Sequence, residues 1–192
     1  MSTLAAIDCG TNSTRLIISE GTGADRRTLD RRMAITRLGQ GLRATGALAD
    51  EAIERTLAVL RDYRAAIDAA GVDEVRLSFT AAAREAAVVD ELFAAAEEVV
   101  GVRPELLSGE EEGRLAFLGA TAELDPADGP FLVVDIGGGS TEVVLGTTAP
   151  ALVRSLPVGA VRLTDDHLHG DPPGPEELSN AIAEVRELFD DL

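Results

Sequence analysis

Two segments of the chain carry one pattern, and that repetition limits the available folds more than any other feature. Residues 4–19 read L-A-A-I-D-C-G-T-N-S-T-R-L-I-I-S and residues 131–146 read F-L-V-V-D-I-G-G-G-S-T-E-V-V-L-G. They superpose without a gap: Asp8 falls on Asp135, Gly10 on Gly137, Ser13 on Ser140 and Thr14 on Thr141. Each copy is an apolar run, an Asp, a glycine-bearing turn and a second apolar run, which predicts a buried strand, a tight turn and a strand returning beside it. Glycine weakens a strand, so three in succession at Gly137, Gly138 and Gly139 call for a reason. Either the turn needs positive φ or another group approaches the backbone closely. A phosphate supplies the second reason, because free turn N–H groups form an anion-binding nest. The repeat predicts two related lobes, each offering a phosphate loop and a carboxylate to one shared cleft.

Around these copies the chain is an α/β alternation. Strands are predicted at 4–9, 14–20, within 27–38, at 75–79 and at 102–107, which gives the first lobe a mixed five-stranded sheet. Ile53, Leu57, Leu60 and Ile67 keep helical spacing, so 50–70 reads as an amphipathic helix ended by Gly71. Shorter helices follow Thr80 and span 89–100. Ser108 with Glu111 three residues later is a capping box, opening a helix that runs to about Leu124. The Asp125–Pro130 stretch, D-P-A-D-G-P, is the clearest linker. It divides an expected first lobe, 1–125, from a second, 131–192. The second lobe repeats three strands (132–136, 142–146, 151–156), then helices at 158–168 and 176–192, and stops. It reads as shorter than the first, or incomplete.

Composition excludes several classes. The 17 basic residues are all Arg, so neither a Walker A lysine nor Schiff-base chemistry is available. Net charge is −17, which argues against nucleic-acid binding. No apolar run approaches the ~20 residues of a membrane span, and no signal peptide is evident. The single Cys9 forbids an internal disulfide and fits a reducing cytoplasm; it reads as a small strand residue. His167 and His169 read as surface residues. An unfinished second lobe is compatible with a homodimer.

Five motifs in order, I-D-C-G-T-N-S-T-R-L, T-A-A-A-R-E-A, L-S-G-E-E-E-G-R-L-A-F-L-G, V-V-D-I-G-G-G-S-T-E-V-V and L-P-V-G-A-V-R-L-T, make the chain resemble the Ppx-GppA phosphatases. These are exopolyphosphatases and guanosine pentaphosphate phosphohydrolases of the actin-like (ribonuclease H-like) superfold. The resemblance covers residues 4 to about 163. Two departures stand out. Family members continue well beyond residue 192, and Gly113 stands where they usually carry Ala, a helix cost of roughly 1 kcal/mol.

The resemblance implies hydrolysis of a terminal phosphoanhydride by water, in inorganic polyphosphate or pppGpp. Such a reaction needs positioning and charge neutralisation more than covalent help. Gly10, Thr11, Asn12 and Ser13, with Gly137, Gly138, Gly139 and Ser140, are the expected phosphate cradle, and Arg15 a flanking contact. Asp135 and Glu142, with Asp8 as pseudo-symmetric partner, are the expected ligands of Mg²⁺ (or Mn²⁺), a hard cation that takes one or two carboxylates plus waters and phosphate oxygens. Each also fits as a turn-capping carboxylate. Of Glu110, Glu111 and Glu112, all suited to a helix N-terminus, Glu111 belongs to the capping box. The family's S-G-x-E-E pattern puts the general base on Glu112, with Glu111 supporting. Arg84 matches a family position where a guanidinium grips phosphate, though a solvated helix Arg is the plain alternative. The acidic chain repels long polyanions, so short polyphosphate or a nucleotide is favoured. A reading from another class keeps the loops in a phosphate- or nucleotide-sensing module with little or no turnover. An actin-like kinase is disfavoured by the Glu-rich helix start.

Overall fold

The computed structural model describes residues 2–21 and 23–190. They form two compact units, Met1–Leu107 and Ser108–Leu192.

In the first unit, β1 (Thr3–Cys9) pairs antiparallel with β2 (Ser13–Glu20), which pairs antiparallel with β3 (Arg27–Ile35). On its other side β1 runs parallel to β4 (Glu74–Phe79), and β4 to β5 (Glu105–Leu106), giving the expected mixed five-stranded sheet in the order β3-β2-β1-β4-β5. β5 is two residues long where six were expected, pairing only through Ser78–Glu105 and Phe79–Leu106. Between these strands lie α1 (Leu42–Thr45), α2 (Asp50–Ala70), α3 (Ala81–Glu85) and α4 (Asp90–Val100). The one-turn α1, bounded by left-handed Gly41 and Gly46, has too little periodicity to be read in sequence.

Strand alternation sends Ala5, Ile7 and Cys9 of β1 and Leu16 and Ile18 of β2 to one face, where α2 and α4 bury them under Leu57, Leu60, Ile67, Leu92 and Val100. Asp8 and Arg15 are cross-strand partners and so share the opposite face. The α2 helix ends at Gly71, at φ 63°, as its sequence predicts.

In the second unit α5 (Gly109–Thr121) precedes an antiparallel meander of β6 (Phe131–Ile136), β7 (Thr141–Gly146) and β8 (Pro150–Leu156). Then come α6 (Ala160–His167) and α7 (Pro175–Asp190); the expected end of the last helix, Leu192, lies outside the described residues. The units divide between Leu107 and Ser108, and not at the 125–130 linker, because α5 packs on β6, β7 and β8. Glu110, Glu111 and Glu112 therefore belong to the second unit.

The expectation of a buried first strand in this meander is corrected. Leu132, Val134 and Ile136 of β6 are exposed, Ile136 by 70%, since β6 is an edge strand. The central β7 is the buried one: Val143 packs with Leu156, Val158 and the helical Leu163, Val185 and Leu188, while Val144 lies close to Gly113 of α5.

Candidate active site

The two glycine turns close alike. The Gly10 amide donates to the Ser13 carbonyl at 3.0 Å and the Gly137 amide to Ser140 at 2.9 Å. Positive φ is not what the turn glycines supply, as none of Gly10, Gly137, Gly138 and Gly139 is left-handed. Close approach is the reason: a Cβ on Gly137 would lie 2.9 Å from the Ser140 carbonyl oxygen, and one on Gly10 3.3 Å from that of Ser13. Among the described residues, the amides of Thr11, Asn12, Gly138 and Gly139 donate to no group. Gly139 is buried, and a buried amide without an acceptor marks a place for one.

In the first unit, Asp8, Arg15, Arg31 and Met33 line a hollow of about 600 Å³ on the sheet face opposite the core. Asp8 and Arg15 are expected from the sequence; Arg31 is not. Arg31 lies on β3 opposite Ile17, so it comes beside Asp8 and Arg15 only through the pairing of β3 with β2, which its own sequence does not show. Behind the loop, Thr14 is buried and shares a 3.0 Å hydrogen bond with Thr36, and the Tyr63 hydroxyl donates to the Thr14 carbonyl at 2.9 Å. Cys9 is buried, and burial pushes its thiol well above the usual range, leaving an inert strand residue. Arg84 is half-buried, and its Nη1 donates to the Leu107 carbonyl at 2.7 Å. That contact ties it to the backbone just ahead of Ser108, a role the sequence did not suggest.

In the second unit, Asp135 and Glu142 are cross-strand partners on β6 and β7. Asp135 is exposed; Glu142 is 1% exposed. Its Oε1 accepts from the Ser155 hydroxyl at 2.7 Å. Burial raises its pKa from 4.5 to about 7; the Ser155 and Ser140 hydrogen bonds oppose that rise, and the nearby charges of Glu112 and Asp135 add to it. Glu112 is half-buried on α5, one residue before Gly113, whose hypothetical Cβ would lie 3.4 Å from that of Glu142. Glu111 makes the capping box: its backbone amide donates to the Ser108 hydroxyl at 3.2 Å, and its carboxylate accepts from the Ser108 amide at 2.9 Å. Glu110 pairs with Arg114 at 2.8 Å. His167 pairs with Glu184 between α6 and α7, away from any ligand set.

This donor set fits a divalent cation. Burial, with the nearby charges of Glu112 and Asp135, holds Glu142 partly protonated, a condition that a bound cation relieves. Among the described residues, no group of three or more His, Cys, Asp and Glu stands ready to hold a metal unaided. A cation here would have to be completed by water and phosphate oxygens, the habit of Mg²⁺. Also among the described residues, no helix is long and apolar enough to cross a membrane.

Comparison with known proteins identifies the family of the chain. Residues 16–192 match the Ppx/GppA phosphatase family. A protein named exopolyphosphatase 2 from Mycobacterium tuberculosis is 45% identical over 196 residues, which cover 97% of this chain and 61% of the relative. The crystal structure of an exopolyphosphatase-like protein superposes with a TM-score of 0.94 at 39% identity, covering 99% of this chain and 61% of that one. The Ppx/GppA enzyme of Aquifex aeolicus superposes with a TM-score of 0.80 at 35% identity, covering 99% and 64%. The chain thus spans about three fifths of the length of these relatives.

Proposed function

Because the chain belongs to the Ppx/GppA phosphatase family, we propose that it hydrolyses the terminal phosphoanhydride of inorganic polyphosphate and releases orthophosphate. The observation that carries this reading is the second turn: two amides without acceptors, at Gly138 and Gly139, beside a carboxylate, Glu142, that burial and two neighbouring carboxylates push toward neutrality. An anionic phosphate brought there with a cation satisfies both conditions at once.

In this reading the Gly138 and Gly139 amides of the second unit hold phosphate oxygens, and the Thr11 and Asn12 amides are the same kind of donor set within the first unit. Backbone donors fixed before the reaction stabilise developing charge without reorganising. Asp135 and Glu142 would hold Mg²⁺ or Mn²⁺, which when bound supplies charge neutralisation on the phosphate oxygens, and Asp8 is their counterpart in the first unit's repeat. Glu112 orients the attacking water and takes its proton, and Glu111 fixes the helix turn that carries Glu112. Arg15 meets the phosphates from β2. Short polyphosphate is favoured over long, since the −17 charge repels an extended polyanion. Guanosine pentaphosphate, pppGpp, presents the same terminal bond and is the second substrate of this proposal. With Cys9 its single thiol and buried, the protein suits a reducing cytoplasm.

The test is phosphate release from tripolyphosphate, longer polyphosphate and pppGpp with Mg²⁺, for wild type and Glu112→Gln. Loss of a general base lowers the rate by roughly 10²–10⁴. A wild type that binds these substrates without releasing phosphate is a sensing module, and a Glu112→Gln variant as fast as wild type removes Glu112 from the chemistry.

A further inference from the structure

The turn at residues 137–140 is held from behind by its carbonyls. The Ala160 amide donates to the Gly137 carbonyl at 2.9 Å, and the amides of Val161 and Arg162 both donate to the Gly138 carbonyl, at 2.9 and 3.1 Å. All three donors lie in the first turn of α6, where helix amides have no partner of their own. The residue before them is Gly159. Its backbone is extended, at φ −164° and ψ 169°, so no left-handed conformation calls for glycine. Space does: a Cβ there would lie 2.5 Å from the Gly138 carbonyl oxygen, 2.6 Å from its carbon and 2.8 Å from the Gly137 oxygen.

The bonded carbonyls are informative when matched to amides through the peptide units. The Gly137 carbonyl and the Gly138 N–H belong to one peptide group, and the Gly138 carbonyl and the Gly139 N–H to the next. The two amides left without acceptors are therefore those of the two peptides that α6 engages. A hydrogen bond accepted at a carbonyl polarises its own amide and makes that N–H a better donor. The positive end of the helix dipole acts in the same direction.

The first unit clamps its turn one residue further along, through the peptides that carry the Asn12 and Ser13 N–H groups. Thr36 and Arg37 amides donate to the Asn12 carbonyl at 3.1 and 3.0 Å, and the Gly39 amide to the Thr11 carbonyl at 2.9 Å. Arg37 adopts φ 50°, a costly conformation for a residue with a side chain. A Cβ on Gly39 would lie 2.5 Å from the Thr11 Cγ2. In both units the segment after the third strand returns to clamp the turn from the rear.

We propose that Gly159 and the first turn of α6 are a positioning and polarising clamp for the second phosphate loop. Gly159 admits the helix to contact distance, and the amides of Ala160, Val161 and Arg162 aim the Gly138 and Gly139 N–H groups at phosphate and strengthen them. The inference rests on the reading of that turn as a phosphate cradle.

The cleanest probe is Ala160→Pro. It deletes one clamp bond at a helix position where proline is tolerated, after an extended residue that proline accepts. Titration with tripolyphosphate, followed at the Gly138 and Gly139 amide resonances and by calorimetry, is to show both amides shifted upfield in the free variant. Affinity is to fall about tenfold, and where turnover is measured KM is to rise more than kcat falls. Gly159→Ala, which separates helix and loop without touching any N–H, is to act in the same direction, and Thr164→Ala farther along α6 is to match wild type. Circular dichroism and thermal melting select variants that fold; if Ala160→Pro does not, Gly159→Ala carries the test. Wild-type amide shifts and affinity in the folded clamp variant overturn the proposal. A wild type whose Gly138 and Gly139 amides respond to tripolyphosphate while no phosphate is released overturns the hydrolase reading and leaves the clamp standing.

Discussion

Gly113 of α5 and Glu142 of β7 face each other so closely that a Cβ on Gly113 would lie 3.4 Å from that of Glu142, and only 2.9 Å from Val153 Cγ1 and 3.2 Å from Val144 Cγ2. The glycine that looks like a helix defect in sequence is what lets α5 carry Glu112 down onto the second sheet. Two effects oppose each other in Gly113→Ala: a gain in helix propensity of about 1 kcal/mol and overpacking that costs about 1–3 kcal/mol. Val153 and Val144 are stiff at χ1, and Val144 is fully buried, so the overpacking wins. The variant is expected to lose about 1 kcal/mol in urea unfolding, and Gly113→Ala with Val153→Ala to recover part of that loss. Additive losses in the double variant would mean that the helix–sheet contact is not the cause.

Arg84 separates a phosphate-gripping role from a backbone-holding one. Its Nη1 donates to the carbonyl of Leu107, a buried residue. Removing a charged donor from a buried carbonyl costs about 1–3 kcal/mol. Arg84→Ala is therefore expected to lower the urea midpoint of the substrate-free protein at an unchanged m-value, before any phosphate is added. A variant as stable as wild type, yet weakened in tripolyphosphate affinity, would return Arg84 to the substrate side.

The fold was largely legible because its signals are local and redundant. The repeat around Asp8 and Asp135, the Ser108–Glu111 capping box and the Gly71 stop each name a short segment, and each segment forms as expected. What stayed hidden depends on contacts distant in sequence. Nothing in residues 105–107 shows that β5 pairs through only two residues, since that is set at β4. Leu132, Val134 and Ile136 look like core until the topology makes β6 an edge. The unit boundary was misplaced because D-P-A-D-G-P is a strong linker signal, while the packing that assigns α5 to the second sheet has none. In the candidate site, the cross-strand placing of Asp135 and Glu142 and the closure of the two turns could be read from their spacing. Ser155, Arg31 and Gly159 could not, as each matters through what a distant strand or helix brings beside it.

The charge state of Glu142 gives a pH signature. Its native pKa is raised from 4.5 to about 7, so between these values the folded protein holds a proton that the unfolded chain has released. Stability from this group is then fully present below about pH 4.5 and is lost as pH rises through about 7. The full rise corresponds to roughly 3 kcal/mol, and about 1–3 kcal/mol is expected between pH 4.5 and 7.5 in metal-free protein. Denaturation at a series of pH values, with EDTA, measures it. Glu142→Gln is expected to flatten that window, and Ser155→Ala to move it to higher pH, because the hydroxyl that favours the charged form is gone. Millimolar Mg²⁺ is expected to reverse the slope in wild type, since a cation at Asp135 and Glu142 favours the ionised pair and binds better as the proton leaves. A wild-type slope indifferent to Mg²⁺, and equal to that of Glu142→Gln, would remove these two carboxylates as the metal ligands.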